Sequence, residues 1–203
     1  MTAQVSDGFV YNEKSYGISA IEDVELFSKH FNIKSFGLKP TSPDTACWRG
    51  YVAEFAIKNS MLVLNTLETN NGNDKNNIIP EINGRTPKID KPEGLVDGRL
   101  DYRKLMYTDI DFPILYTGGI LITDGFLMEY YVHMGFQSPF AYETVIELIF
   151  KEGKHIATND LSEVAAKKRA KTTPDEEKSE DWENLPQWIE DRFDLSYSKR
   201  WET

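Results

Sequence analysis

Glu129, Tyr131 and His133 recur at every second position in the stretch 118–136, GGILITDGFLMEYYVHMGF. A histidine titrates near neutral pH and can act as a general base, a carboxylate can orient it, and a phenol can donate to a developing charge. Alternate residues of a strand share a face, with neighbours roughly 6.5 to 7 Å apart along it. That spacing lines a cleft and is too long for direct proton exchange. It allows a small hydrolase or transferase, and the trio is too generic to name a reaction.

Trp48, Arg49 and Tyr51 form the second set. A guanidinium between two rings can recognise a carboxylate or phosphate, as a small-ligand-binding module would, or it can serve as a structural cation–π contact. Cys47 adjoins them and is the single cysteine. Only a thiolate attacks, and no histidine or helix start lies near it in the sequence, so a buried cysteine at the start of a strand is expected. One cysteine excludes an intrachain disulfide and a multi-thiolate zinc site. His30, His133 and His155 lack the spacing of a metal motif, so no metal is expected. The phosphate-binding glycine signatures and the G-x-S-x-G elbow are also missing, so no cofactor is expected.

The elements that must position these residues follow from local signals. Asp124-Gly125 between two apolar runs predicts a hairpin turn. Beyond it Phe126, Met128, Tyr130, Val132, Met134 and Phe136 would share the core face, opposite the Glu, Tyr and His trio. FVYNEKSYGI predicts a small hairpin turning near Asn12–Lys14, and WRGYVAEFAIKNSMLVLNTLE predicts another turning at Lys58-Asn59-Ser60. Tyr51, Ala53, Phe55 and Ile57 would face the core there. A third is expected at Glu152-Gly153, with 143–151 a strand, although helical spacing of Tyr142, Val145, Ile146 and Ile149 competes. Ser19 as N-cap and the stripe Ile21, Val24, Phe27, Phe31 predict a helix over 20–31.

The stretch 70–98 carries NNGNDKNN and then Pro80, Gly84, Pro87, Pro92, Gly94 and Gly98 with no sustained period, as expected of a long irregular insert. After residue 160 the chain turns helical: 162–171 is alanine-rich, and Thr173-Pro174-Asp175-Glu176 signals a second helix start. Lys167, Lys168, Arg169 and Lys171 would complement the end of the first of these helices. Between Thr172 and Asp194 nine acids stand against two bases, among rings that include Trp182 and Trp188. Such a segment can pack back on the sheet or contact a partner.

The predicted fold is therefore α+β: a mostly antiparallel sheet of consecutive hairpins with an N-terminal helix. Residues 1–160 would form the domain, and 161–203 a helical acidic segment packed on it. The net charge is 23 − 33 = −10, which disfavours nucleic acid and suits a basic protein partner. No apolar run is long enough for a membrane span, and a secretory leader is not evident, so a cytoplasmic setting is expected. The leading expectation is a non-enzymatic protein-interaction protein, in the form of an inhibitor or immunity-type partner of another bacterial protein.

Overall fold

Three two-residue turns organise the sheet. In the computed structural model, which describes residues 2–71, 78–90, 104–171, 173–178, 181 and 183–201, strands β1 (Gly8–Tyr11) and β2 (Lys14–Ile21) join through Asn12 and Glu13. After helix α1 (Val24–His30), β3 (Tyr51–Lys58) and β4 (Met61–Thr69) join through Asn59 and Ser60. Short strands β5 (Lys88–Asp90), β6 (Lys104–Tyr107) and β7 (Phe112–Pro113) follow, then β8 (Gly118–Phe126). Last, β9 (Tyr142–Lys151) and β10 (Lys154–Asp160) join through Glu152 and Gly153. All six turn residues have positive φ, between 49° and 78°. A two-residue turn of this hand matches the right-handed twist of the strands it joins. The three hairpins thus lie where the sequence places them.

The fourth expected turn does not form. Asp124-Gly125 lies inside β8, which stays paired with β9 from Gly118↔Phe150 through Asp124↔Thr144 to Phe126↔Tyr142. Gly125 alone takes positive φ, 71°, whereas the type I′ hairpin turn expected of Asp-Gly needs two such residues. The Asp124 carboxylate instead pairs with Lys14 of the neighbouring hairpin at 2.7 Å. Beyond Phe126 the chain leaves the sheet. Met128–Tyr130 is a short 3₁₀ turn, so Glu129, Tyr131 and His133 do not share a strand face.

The strands run in the order β10-β9-β8-β2-β1-β3-β4-β6-β5, with β7 also on β4. Among the described strands β1 and β3 pair parallel and the others antiparallel. An additional pairing of β10 with β4, Lys154↔Met61, closes seven strands into a barrel. Leu62 N–H donates to Gly153 O and His155 N–H to Ser60 O at this seam. Phe9, Phe55, Tyr116, Ile120 and Phe150, all at most 1% exposed, fill the interior. Each such side chain stabilises by about 1.5–3 kcal/mol through burial.

Helix α1 covers one mouth. Phe27 meets Phe55 at 5.4 Å and Tyr116 at 5.3 Å between ring centroids, and Phe31 meets Phe55 at 5.1 Å. Four residues apart, the two rings share a helix face. The helix is shorter than its apolar stripe predicts, because Ala20 and Ile21 pair with Leu121 and Ile120 of β8. Asp23, not Ser19, is the N-cap, accepting from Leu26 N–H at 2.8 Å.

Strand β8 is apolar on both faces, and its outer face is also covered. Ala20, Leu121 and Val145 pack under Ala165 of α2 (Ser162–Arg169) and Tyr197, with Leu161 and Trp201 beside them. Helices α3 (Pro174–Lys178), α4 (Leu185–Phe193) and α5 (Tyr197–Arg200) complete this segment. Thr173 and Glu176 form the expected reciprocal cap: Thr173 N–H donates to the Glu176 carboxylate at 2.7 Å and Glu176 N–H to the Thr173 hydroxyl at 3.2 Å. Ile21 N–H donates to Leu195 O at 2.7 Å, which ties the tail to β2.

Of the irregular insert, 72–77 and 91–98 lie outside the described residues. Asn70 is buried and exchanges two hydrogen bonds of 2.8 Å with the Thr41 backbone, and Lys88–Asp90 adds an edge strand to β6.

Three substitutions at two positions test these contacts. A Cβ at Gly125 would lie 3.0 Å from Glu143 Cβ, and left-handed backbone suits a β-branched residue poorly. Gly125→Val is expected to cost about 1–3 kcal/mol in urea denaturation. Tyr197→Ala is expected to cost about 3 kcal/mol by uncovering Leu121 and Val145. Tyr197→Phe, which loses only a 3.3 Å bond to Glu147, should cost under about 1 kcal/mol.

Candidate functional site

Where α1 leaves the barrel mouth, Arg49 and Tyr51 come together against it. The turn Cys47–Gly50 places Arg49 just before β3, closed by Gly50 N–H donating to Cys47 O at 3.0 Å. Gly50 takes φ 75°, and a Cβ there would meet Thr41 O at 2.6 Å, so the close approach of the 40–41 loop requires glycine. Arg49 reaches across to Asp7: Nη1 donates to Asp7 Oδ2 at 2.6 Å, and Nη2 donates to Val5 O at 2.9 Å. Its guanidinium lies 5.1 Å from the Tyr51 ring centroid and 5.6 Å from that of Phe136. Asp7 Oδ1 accepts from Ala53 N–H at 2.8 Å.

These groups perturb one another. Burial pushes the Asp7 carboxyl up, while Arg49 and the Ala53 amide pull it down. Burial, then Asp7, pushes the Tyr51 phenol up to about 12, and burial raises the Cys47 thiol, which donates to Tyr51 O at 3.3 Å. A neutral thiol and a neutral phenol are poor nucleophiles at pH 7. Cys47 is buried as expected, in the turn that precedes β3.

A hollow of about 790 Å³ opens beside Arg49 and Tyr51, lined further by Phe31, Lys34, Lys39 and Pro40. A second, of about 340 Å³, shares Ser28, Phe31, Arg49 and Tyr51 with the first and extends to Phe136, Phe193 and Asp194. Together they make one groove along α1, in the size range of ligand sites. Trp48 stands next to it, 51% exposed, with its ring 5.5 Å from Phe193 of α4.

Trp48, Arg49 and Tyr51 are thus brought to one place. Trp188 sits elsewhere on α4, under the Arg192 guanidinium at 5.3 Å. Trp182 lies outside the described residues. Glu129, Tyr131 and His133 are exposed on the segment after β8, and Tyr131 makes an edge contact with Phe126 at 6.4 Å. Among the described residues no group of three or more His, Cys, Asp and Glu side chains could hold a metal ion. Asp7, Lys34, Lys39 and Phe193 are site residues that the sequence reading missed. Asp7 is 42 positions from Arg49, and nothing local in the sequence joins them.

The buried pair sets a test. Asp7→Leu leaves Arg49 and the Ala53 amide without their partner and is expected to cost about 3–5 kcal/mol in urea denaturation, most of it recovered in Asp7→Leu/Arg49→Met. The Asp7 proton is held more tightly in the folded chain than in the unfolded one. The stability this contributes is therefore fully present below pH 3.8 and lost as pH rises through the raised folded value. Relative to Asp7→Asn, the parent should lose stability across that window and then run parallel to it.

Comparison with known proteins finds no matching family model, no matching curated protein and no matching solved structure, so a functional reading rests on the groove itself.

Proposed function

We propose that the protein is a non-enzymatic interaction protein and that its partner, another protein, seats on the groove beside Trp48, Arg49 and Tyr51. The observation that carries this reading is the half-exposed Trp48 ring at the edge of a groove whose Arg49 is already fixed by Asp7. A rigid, partly apolar surface with an exposed tryptophan and an anchored arginine is the usual composition of a binding hot spot. Preorganisation supports it further, since the side chains lose little freedom on contact. The perturbed groups favour recognition over turnover: Asp7 is committed to Arg49 and Ala53, and Tyr51 and Cys47 hold their protons. The Glu129, Tyr131 and His133 reading receives less support, because these residues lie on a 3₁₀ turn and the irregular segment after it.

An inhibitor or immunity-type role in the cytoplasm is the form this takes. A partner that is basic overall would be steered to a chain of charge −10.

The test places a photo-crosslinking phenylalanine analogue at position 48 and, separately, at exposed Ile156 of β10. In an extract of the source cells, a protein adduct of defined mass is expected from position 48 and not from 156. No adduct from 48, or the same adducts from both positions, would overturn the assignment.

A further inference from the structure

The barrel does not build the inner half of the groove alone. The 340 Å³ hollow is lined by Phe136 and by Phe193, Asp194 and Leu195, the last three from the end of α4 and the residues after it. Phe136 belongs to the segment after β8, yet both of its backbone groups are held by the C-terminal helices. Its N–H donates to Arg192 O at 2.8 Å, and its carbonyl accepts from Arg200 Nη2 at 2.5 Å. The neighbouring Gly135 has φ 68°, and a Cβ there would overlap Arg192 O, so the two segments touch at the backbone. On the groove side the Phe136 ring lies against the Arg49 guanidinium, and the Phe193 ring lies against Trp48. The residues that mark the groove are thus backed by residues that α4 positions.

Helix α4 itself has no buried anchor. None of its nine residues, Leu185–Phe193, is buried, and neither are Asp194, Leu195 and Ser196. Its side chains are tied by charge: Asp191 pairs with Lys199 at the surface, and Arg192 donates through Nη1 to the Glu177 carboxylate of α3 at 2.6 Å and through Nη2 to Glu177 O at 2.8 Å. Glu177 is buried. A buried ion pair fixes position while adding little net stability, and a segment with few buried apolar contacts opens at a lower free energy than the core it lies on. To either side of α4 in the chain, Ala165 of α2 and Tyr197 of α5 are buried against the outer face of the sheet. The helix is therefore held at both ends by apolar packing and in between by a polar latch.

We propose that α4 is a strap that regulates the groove, a coupling that rests on the reading of the groove as the partner's seat. Latched by Arg192 on Glu177, the strap keeps Phe136 and Phe193 behind Arg49 and Trp48, and the partner binds. Unlatched, it releases both rings, and the partner is lost. Linkage makes the coupling reciprocal, so a seated partner also keeps the strap latched. Trp48 stays 51% exposed with Phe193 in place, so the latched strap supports the tryptophan and leaves it open to a partner.

Amide hydrogen exchange followed by NMR, together with the adduct from position 48, tests the coupling. Phe136 N–H on Arg192 O and Ile21 N–H on Leu195 O report the strap, and Leu62 N–H on Gly153 O reports the barrel seam. In Glu177→Gln the first two are expected to exchange about tenfold faster than in the parent while Leu62 keeps its rate, and the yield of the position 48 adduct should fall about fivefold. Glu177→Leu/Arg192→Met, which replaces the latch with apolar side chains, should recover most of the slow exchange and of the adduct. Unchanged exchange at Phe136 and Ile21, equal acceleration at all three amides, or an adduct yield that holds or rises in Glu177→Gln would overturn the proposal. If the parent gives the adduct and only the response to Glu177→Gln is missing, the seat stands and the strap falls; if the parent gives no adduct, the seat is refuted and its regulation with it.

Discussion

Closure of the sheet at the β4–β10 seam is the constraint on which the rest depends. An open sheet of these strands would leave two edges and one bare face, whereas a closed one turns the inner face into a sealed core. Phe9, Phe55, Tyr116 and Phe150 fill that core, so the barrel is a packed scaffold. The candidate site is therefore at its rim. The rim that α1 covers is where Phe27 and Phe31 come out of the core, and the groove is the space left between that helix and the turn preceding β3.

The second consequence of closure is an outer face that also needs cover. Strand β8 is apolar at Ile120, Leu121 and Ile122, all fully buried, and alternation sends Leu121 outward. The C-terminal helices cover it, which explains why so acidic a segment is also rich in rings. Its charges are arranged to suit. Glu177, buried, accepts from Arg192 at 2.6 Å and from the Ser138 hydroxyl at 2.5 Å. Arg200, 4% exposed, donates to Phe136 O at 2.5 Å, and burial brings its guanidinium down to about 10. Buried ions of this kind add little net stability, but a tail that shifts by one position would leave them unpaired. They hold the tail in register, and with it Phe193 and Asp194, which line the groove.

Legibility of the fold in the sequence divides by range. The turns at Asn12-Glu13, Asn59-Ser60 and Glu152-Gly153 were readable because their chemistry is local, and so was the cap at Thr173. Asp124-Gly125 carries an equally good local signal and was misread: β9, which begins 16 residues beyond Phe126, pairs straight across it, and only Gly125 uses its conformational freedom. Residues 20 and 21 were misread as helix for the same reason, since pairing with β8 outweighs an apolar stripe that either structure would satisfy. At the site, Trp48, Arg49 and Tyr51 stood out by type and adjacency. Asp7, which fixes Arg49, and Lys34 and Lys39, which line the groove, did not, because each is brought there by the barrel and not by its neighbours in the chain.

The chain's acidity and the groove's own charges act at different ranges. A charge of −10 spread over the surface acts at long range and is damped beyond about 8 Å at physiological salt. It governs how any charged molecule approaches. Lys34 and Lys39 line the groove beside a low-dielectric wall made by Phe31, Leu38 and Pro40. Because Arg49 is neutralised by Asp7, it contributes shape and ring contact with Tyr51 more than net charge.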